Sequence, residues 1–137
     1  MNVAARVRNV GTDHEVSVAT SGKSRALAIP GKAEGRGSSV SGGELLMLAL
    51  ATCYCNDIYR EAARLGIQVD AVEAEAEADF EGIGLAATNI RYRARVESPA
   101  PEAEIAELIR QTDSVAEVHN TIRTSAQVSL KPWVSTG

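Results

Sequence analysis

The sequence predicts a segregated α+β domain in the order βββ-α-ββ-α-β, spanning residues 1–137 as one unit. Three observations predict it. Short runs near the N-terminus alternate apolar and polar residues with the period of a strand. The stretch from Ser41 to Gly66 reads as one long helix. A later alternating block, from Val72 to Val96, carries acids on its first run and arginines on its second.

The first strand is expected over Asn2–Asn9, where Val3, Ala5 and Val7 share a face and Ala4, Arg6 and Arg8 share the other. Gly11-Thr12-Asp13 is a turn signal, and Glu15–Thr20 is the second strand. Ser21-Gly22-Lys23 turns again before a third strand over Arg25–Ile29, which makes an antiparallel meander. Pro30 to Gly43 is glycine-rich without a long apolar run, and is expected to be a mobile or draped loop.

Ser41 followed by Glu44 matches a capping box, in which the hydroxyl accepts an orphan helix N–H and the carboxylate reaches back to the cap. Gly66 fits a left-handed C-cap, with Arg60 and Arg64 near the negative end of the dipole. Leu45 to Ala51 is apolar without interruption, so that half of the helix is expected to avoid water on every side. The half from Asn56 on carries Asp57, Arg60, Glu61 and Arg64 and is expected to be half solvated. Cys53 and Cys55 sit where the two halves meet.

Beyond Gly66, Val72, Ala74, Ala76, Ala78 and Phe80 face one way, and Glu73, Glu75, Glu77, Asp79 and Glu81 the other. Gly82-Ile83-Gly84 is a bend. On the return run Arg91, Arg93 and Arg95 oppose the acids if Glu77 stands across from Arg91. That register also sets Glu75 against Arg93, Glu73 against Arg95, Ala76 against Tyr92 and Val72 against Val96. A slip of one residue would reverse every facing. The charged face reads as a solvated surface rather than a ligand site.

Ser98-Pro99-Ala100-Pro101 ends that strand and opens a second helix with the apolar stripe Ile105, Leu108 and Ile109. Asp113 to Asn120 is expected to form a short helical turn, and Thr121–Leu130 a final strand.

The chain has one Trp, one Phe and three Tyr, so Ala, Val, Leu and Ile must fill a thin core. That favours a subunit completed by a partner. A net charge of −4 gives no footprint for nucleic acid or an anionic membrane. No apolar run is long enough to span a bilayer, and the N-terminus has no secretion-signal core. Two cysteines two residues apart on a helix are not a disulfide framework, so a cytoplasmic chain with reduced thiols is expected.

Phosphate-loop, dinucleotide, C-x-x-C, H-E-x-x-H and G-x-S-x-G patterns are all absent. Residues two apart on a helix point about 200° apart, so Cys53 and Cys55 cannot share one metal ion, and neither a metal nor a cofactor is expected. A reactive thiol is the better candidate. Cys53 stacks with Leu46, Ala49 and Leu50 before it and with Asn56, Asp57 and Arg60 after it; Cys55 faces elsewhere. An unperturbed thiol, with a pKa near 8.5, is only about 3% thiolate at neutral pH, so a cation must be brought to it. Arg36 in the loop, Arg6, Arg8 and His119 are the candidate donors. The plainer roles are inert packing for Cys53, a solvated loop charge for Arg36, a hydrogen-bonded structural residue for His119 and an exposed one for His14.

At Glu44–Cys53, E-L-L-M-L-A-L-A-T-C after a glycine-rich loop resembles the nucleophile helix of the OsmC/Ohr superfamily, the osmotically inducible and organic-hydroperoxide-resistance proteins. V-H-N-T-I at Val118–Ile122 resembles that family's second signature, usually C-P-V-x-N-T-L. The resemblance implies an intertwined homodimer with central helices wrapped by sheets of both subunits. It also implies a thiol peroxidase in which the helix cysteine, here Cys53, is oxidised by an organic hydroperoxide. A second cysteine and an external thiol reductant then restore it. The departures are specific. Ala116 stands where the second cysteine would, with Glu117 in place of the proline, and Gly43 where one branch has a glutamate. Glu44 matches an adjacent acidic position, and its plainer role is the cap. The candidate catalytic set is therefore Cys53, Arg36 and Glu44. Three readings follow: a one-cysteine hydroperoxide reductase, a non-catalytic dimer binding a small apolar ligand or partner, and an activity on another thiol or electrophile.

Overall fold

The structure is a computed structural model that describes residues 1–133; residues 134–137, the end of the domain expected over 1–137, lie outside the described residues. Its elements are β1 (Val3–Val10), β2 (Asp13–Thr20), β3 (Lys23–Leu27), α1 (Gly42–Leu65), β4 (Ala71–Asp79), β5 (Thr88–Glu97), α2 (Glu102–Val115) and α3 (Glu117–Arg123). The α+β class holds. The chain divides into two compact units, the first ending at Leu46 and the second beginning at Met47.

In the first unit β1, β2 and β3 form an antiparallel meander, with Val7 opposite Val16 and Val16 opposite Leu27. The turns fall at Gly11-Thr12 and Ser21-Gly22, where the alternation breaks. His14 is half-buried rather than exposed, because it stands opposite Asn9 and hydrogen-bonds to it at 3.0 Å. The following loop is tied down: Lys32 N–H donates to the Gly37 carbonyl at 2.9 Å and Ser39 N–H to the Pro30 carbonyl at 3.0 Å. The capping box forms as expected. Glu44 N–H donates to Ser41 Oγ at 3.0 Å, and Ser41 N–H to Glu44 Oε1 at 2.9 Å.

In the second unit α1 ends at a left-handed Gly66 (φ 70°), where Ile67 N–H donates to the Ala62 carbonyl at 2.9 Å. β4 and β5 pair in the expected register: Glu77–Arg91, Glu75–Arg93, Glu73–Arg95, Ala76–Tyr92 and Val72–Val96. The core is built from Tyr54, Ile58 and Ala62 of α1, Leu108 of α2 and Ala116, with Val72, Ala74, Tyr92, Ala94 and Val96 of the hairpin against it. Ile58 and Leu108 are completely buried, each contributing about 1.5–3 kcal/mol of transfer free energy.

One expectation about the core is corrected. The core is not filled by aliphatics alone: Tyr54 lies edge-on to Tyr92 with ring centroids 4.8 Å apart, and its hydroxyl donates to the Ile109 carbonyl at 2.6 Å. In the single chain Leu45, Leu46 and Leu48 of the apolar half of α1 are exposed and Leu50 is buried. The half expected to be half solvated exposes Arg60 and Arg64, and its buried side includes Asp57 and Glu61. The buried stripe is Leu50, Tyr54, Asp57, Ile58, Glu61 and Ala62, which is one face of a 3.6-residue period that includes two acids.

The C-terminal strand also differs. Thr121–Leu130 forms no strand among the described residues; its first part belongs to α3, and residues 126–133 carry no regular structure. An alternating pattern makes a strand only where an edge is there to pair with it.

Candidate functional site

Cys53 is half-buried on α1, against the core cluster that contains Ala116. The geometry that sets its surroundings is helical. Asp57 lies one turn on, and the Cys53 thiol donates to Asp57 Oδ2 at 3.4 Å. Arg60 lies nearly one turn further, its Nη1 3.1 Å from Asp57 Oδ1. Extended backbone at Ala116 (φ −72°, ψ 110°) separates α2 from α3 and starts α3 at Glu117. Glu117 Oε2 lies 3.8 Å from Cys53 Sγ, while its Oε1 accepts from Arg60 Nη1 at 2.7 Å. A thiol, two carboxylates and one guanidinium thus form one network.

The electrostatics of that network oppose a standing thiolate. Burial pushes the Cys53 thiol above its ordinary value; a hydrogen bond from the Val118 backbone opposes this, and Asp57 and Glu117 add to it. Burial raises Asp57, and its hydrogen bond to Glu117 raises it further. Glu117 moves the other way, lowered by its own backbone N–H, by Asp57 and by Arg60. The two carboxyl groups therefore move apart, the buried one up and the exposed one down. Arg60 also bonds Glu61 at 3.2 Å, so its charge is spread over three carboxylates. Sulfur and carboxylate atoms of Cys53, Asp57 and Glu117 lie within 4.8 Å of one another, a donor set of the kind that holds a metal ion. Arg60 already supplies the positive charge at both carboxylates, and the set reads as an ion-pair network.

Glu44 is engaged in the helix cap, and that bond lowers its pKa. Arg36 is exposed in the loop of the first unit. His119 lies on α3 rather than in a loop, is 3% exposed, and has no hydrogen-bond partner on either ring nitrogen among the described residues. It stands against Tyr92, with ring centroids 4.4 Å apart, and Tyr54, at 5.8 Å. Burial, then Arg123, lowers its pKa, so it is a neutral wall residue, neither the candidate cation nor the hydrogen-bonded structural residue of the plainer reading. Cys55 lines a separate shallow groove with Ala51, Thr52, Asn56, Val72, Glu73 and Ala74. Sequence spacing had placed Asp57 and Arg60 on the Cys53 face but gave them no role, and it left Glu117 out of the site.

No match was found among curated proteins. The fold is similar to an OsmC-like protein from Mycoplasma pneumoniae, at 20% identity over 89% of this chain and 86% of that one, with a TM-score of 0.60. It is similar to an OsmC-like hydroperoxide resistance protein from a Jannaschia species, at 19% identity, 98% and 93% coverage and a TM-score of 0.58. It is also similar to an organic hydroperoxide resistance protein from Legionella pneumophila, at 18% identity, 90% of each chain and a TM-score of 0.58. At these identities the likeness shows the fold. Residues 35–131 match the profile of OsmC-like proteins, a span that takes in α1 with Cys53 and α3 with Glu117, and the chain belongs to that family.

Proposed function

We propose that the protein reduces organic hydroperoxides through Cys53 alone, as a homodimer in a reducing cytoplasm. The observation that carries the reading is Cys53 itself: a half-buried free thiol at the edge of a core, on the helix that matches the family, with polar groups within reach of its sulfur. Ala116, completely buried in the cluster against which Cys53 packs, leaves the position of a resolving cysteine without sulfur. The sulfenic acid is then cleared from outside. Two equivalents of an external thiol return it to the thiol, releasing one disulfide and one water. Hydroperoxide-resistance proteins among the structural relatives support the oxidant class.

The test is mass spectrometry after one equivalent of cumene hydroperoxide with a sulfenic-acid trap. Cys53 is expected to be labelled faster than free cysteine, and Cys53→Ala to lose the label. Labelling no faster than an exposed model thiol would sink the reading.

A second reading is favoured by one observation, the raised pKa of the thiol. In it the fold is a non-catalytic dimer that holds a small apolar ligand. A lipid-like molecule copurifying with protein unreactive toward the hydroperoxide is its signature.

A further inference from the structure

We propose that Asp57 and Glu117 are the proton relay of Cys53, with Asp57 taking the thiol proton as sulfur attacks and the carboxyl pair returning it to the departing alkoxide. This rests on the hydroperoxide reading above. The geometry points to it in three ways. The thiol already donates toward Asp57, with Sγ and Oδ2 3.4 Å apart. Glu117 lies 3.8 Å from the same sulfur and stands at the surface, so the pair runs from a buried carboxyl to one in contact with water. Arg60, at 3.1 and 2.7 Å, holds both carboxylates in place without capturing the oxygens that face sulfur.

The step balances within the site and the hydroperoxide. The S–H bond breaks as Asp57 accepts the proton. The sulfur electron pair attacks the outer oxygen of the hydroperoxide, forming the S–O bond. The O–O bond breaks with its electron pair on the inner oxygen. The alkoxide takes the relayed proton and leaves as the alcohol. Sulfur is oxidised from thiol to sulfenic acid, and the hydroperoxide is reduced by two electrons. Such a relay suits a thiol held protonated, on which a base must act during the attack. The raised Asp57 carboxyl brings donor and acceptor closer in proton affinity than an exposed aspartate would.

The proposal has an opposite with the opposite sign. Two carboxylates that merely repel a thiolate would slow Cys53, and neutralising them would speed it. Rates of sulfenic acid formation at Cys53 with cumene hydroperoxide decide between the two. Asp57→Asn is expected to lower the rate about 100-fold, at the lower end of the range of general acid–base catalysis, and Glu117→Gln about 10-fold, as the outer member of the pair. A solvent deuterium isotope effect present in the wild type is expected to vanish in Asp57→Asn. Glu117 is exposed, so Glu117→Gln decides the matter even where Asp57→Asn fails to fold. Variants that oxidise as fast as the wild type, or faster, overturn the relay alone. A wild-type Cys53 that does not oxidise removes the hydroperoxide reading, and the relay falls with it.

Discussion

Asp57 shows how much one residue depends on its neighbours. A carboxylate this deeply buried persists because Arg60 reaches it, with Nη1 3.1 Å from Oδ1. Burial, with the nearby carboxylates adding to it, makes the Cys53 thiol a poor acid. His119 presents the converse case, a titratable group enclosed without a hydrogen-bond partner among the described residues. Tyr54, Tyr92, Asp113 and Arg123 surround it, and burial, then Arg123, disfavours the imidazolium, while Asp113 opposes them weakly. Its folded pKa lies below the unfolded value of about 6.5. The unfolded chain then binds the proton that the folded chain refuses, so stability is full above that pH and falls as pH drops below it. Urea unfolding is expected to show a lower midpoint in mild acid than at neutrality, with a shallower fall in His119→Leu; equal slopes would count against this account. Helical spacing made Asp57 and Arg60 readable as neighbours of Cys53. Glu117 was not readable, because 64 residues separate it from Cys53 and only the meeting of α1 with α3 brings them together.

The elements sort by whether local rules constrain them twice. The β4–β5 hairpin was legible to the residue because charge pairing and apolar facing demand the same register, as Arg93 Nε donating to Glu75 at 2.9 Å illustrates. The start of α1 was legible because Ser41 and Glu44 satisfy each other. Ser41→Ala is expected to cost about 1 kcal/mol, read as a lower midpoint in denaturant with an unchanged slope. No loss on substitution would mean that the cap is redundant. The Thr121–Leu130 strand was misread because alternation supplies only a preference. Local hydrogen bonds won for residues 117–123, and Thr124 N–H closes the helix on the Asn120 carbonyl at 3.0 Å.

At the scale of the molecule, one chain leaves a great deal of apolar surface uncovered. Leu48 is 59% exposed on α1, Val7 is 61% exposed on β1, and Val128, Leu130 and Trp133 are almost wholly exposed. Isolated exposed apolar residues are ordinary, but many on a small chain mark an interface. Sedimentation velocity is expected to give a dimer, and Leu48→Lys to weaken it at least about tenfold, the equivalent of 1.4 kcal/mol. A compact monomer at micromolar concentration would contradict the proposed assembly. No helix among the described residues is long and apolar enough to cross a membrane, so this surface is not a helical span.

The sequence alone determined the α+β class, the limits of the long helix, the meander, the hairpin register and the choice of Cys53 as the sulfur to examine. Each depends on neighbours along the chain or on a period that can be counted. Only the tertiary structure decided which face of α1 is buried, that acids belong to it, and that Asp57 and Glu117 both lie beside Cys53. Those outcomes depend on what lies across a gap of many residues, where burial and charge are settled by partners that no local pattern names.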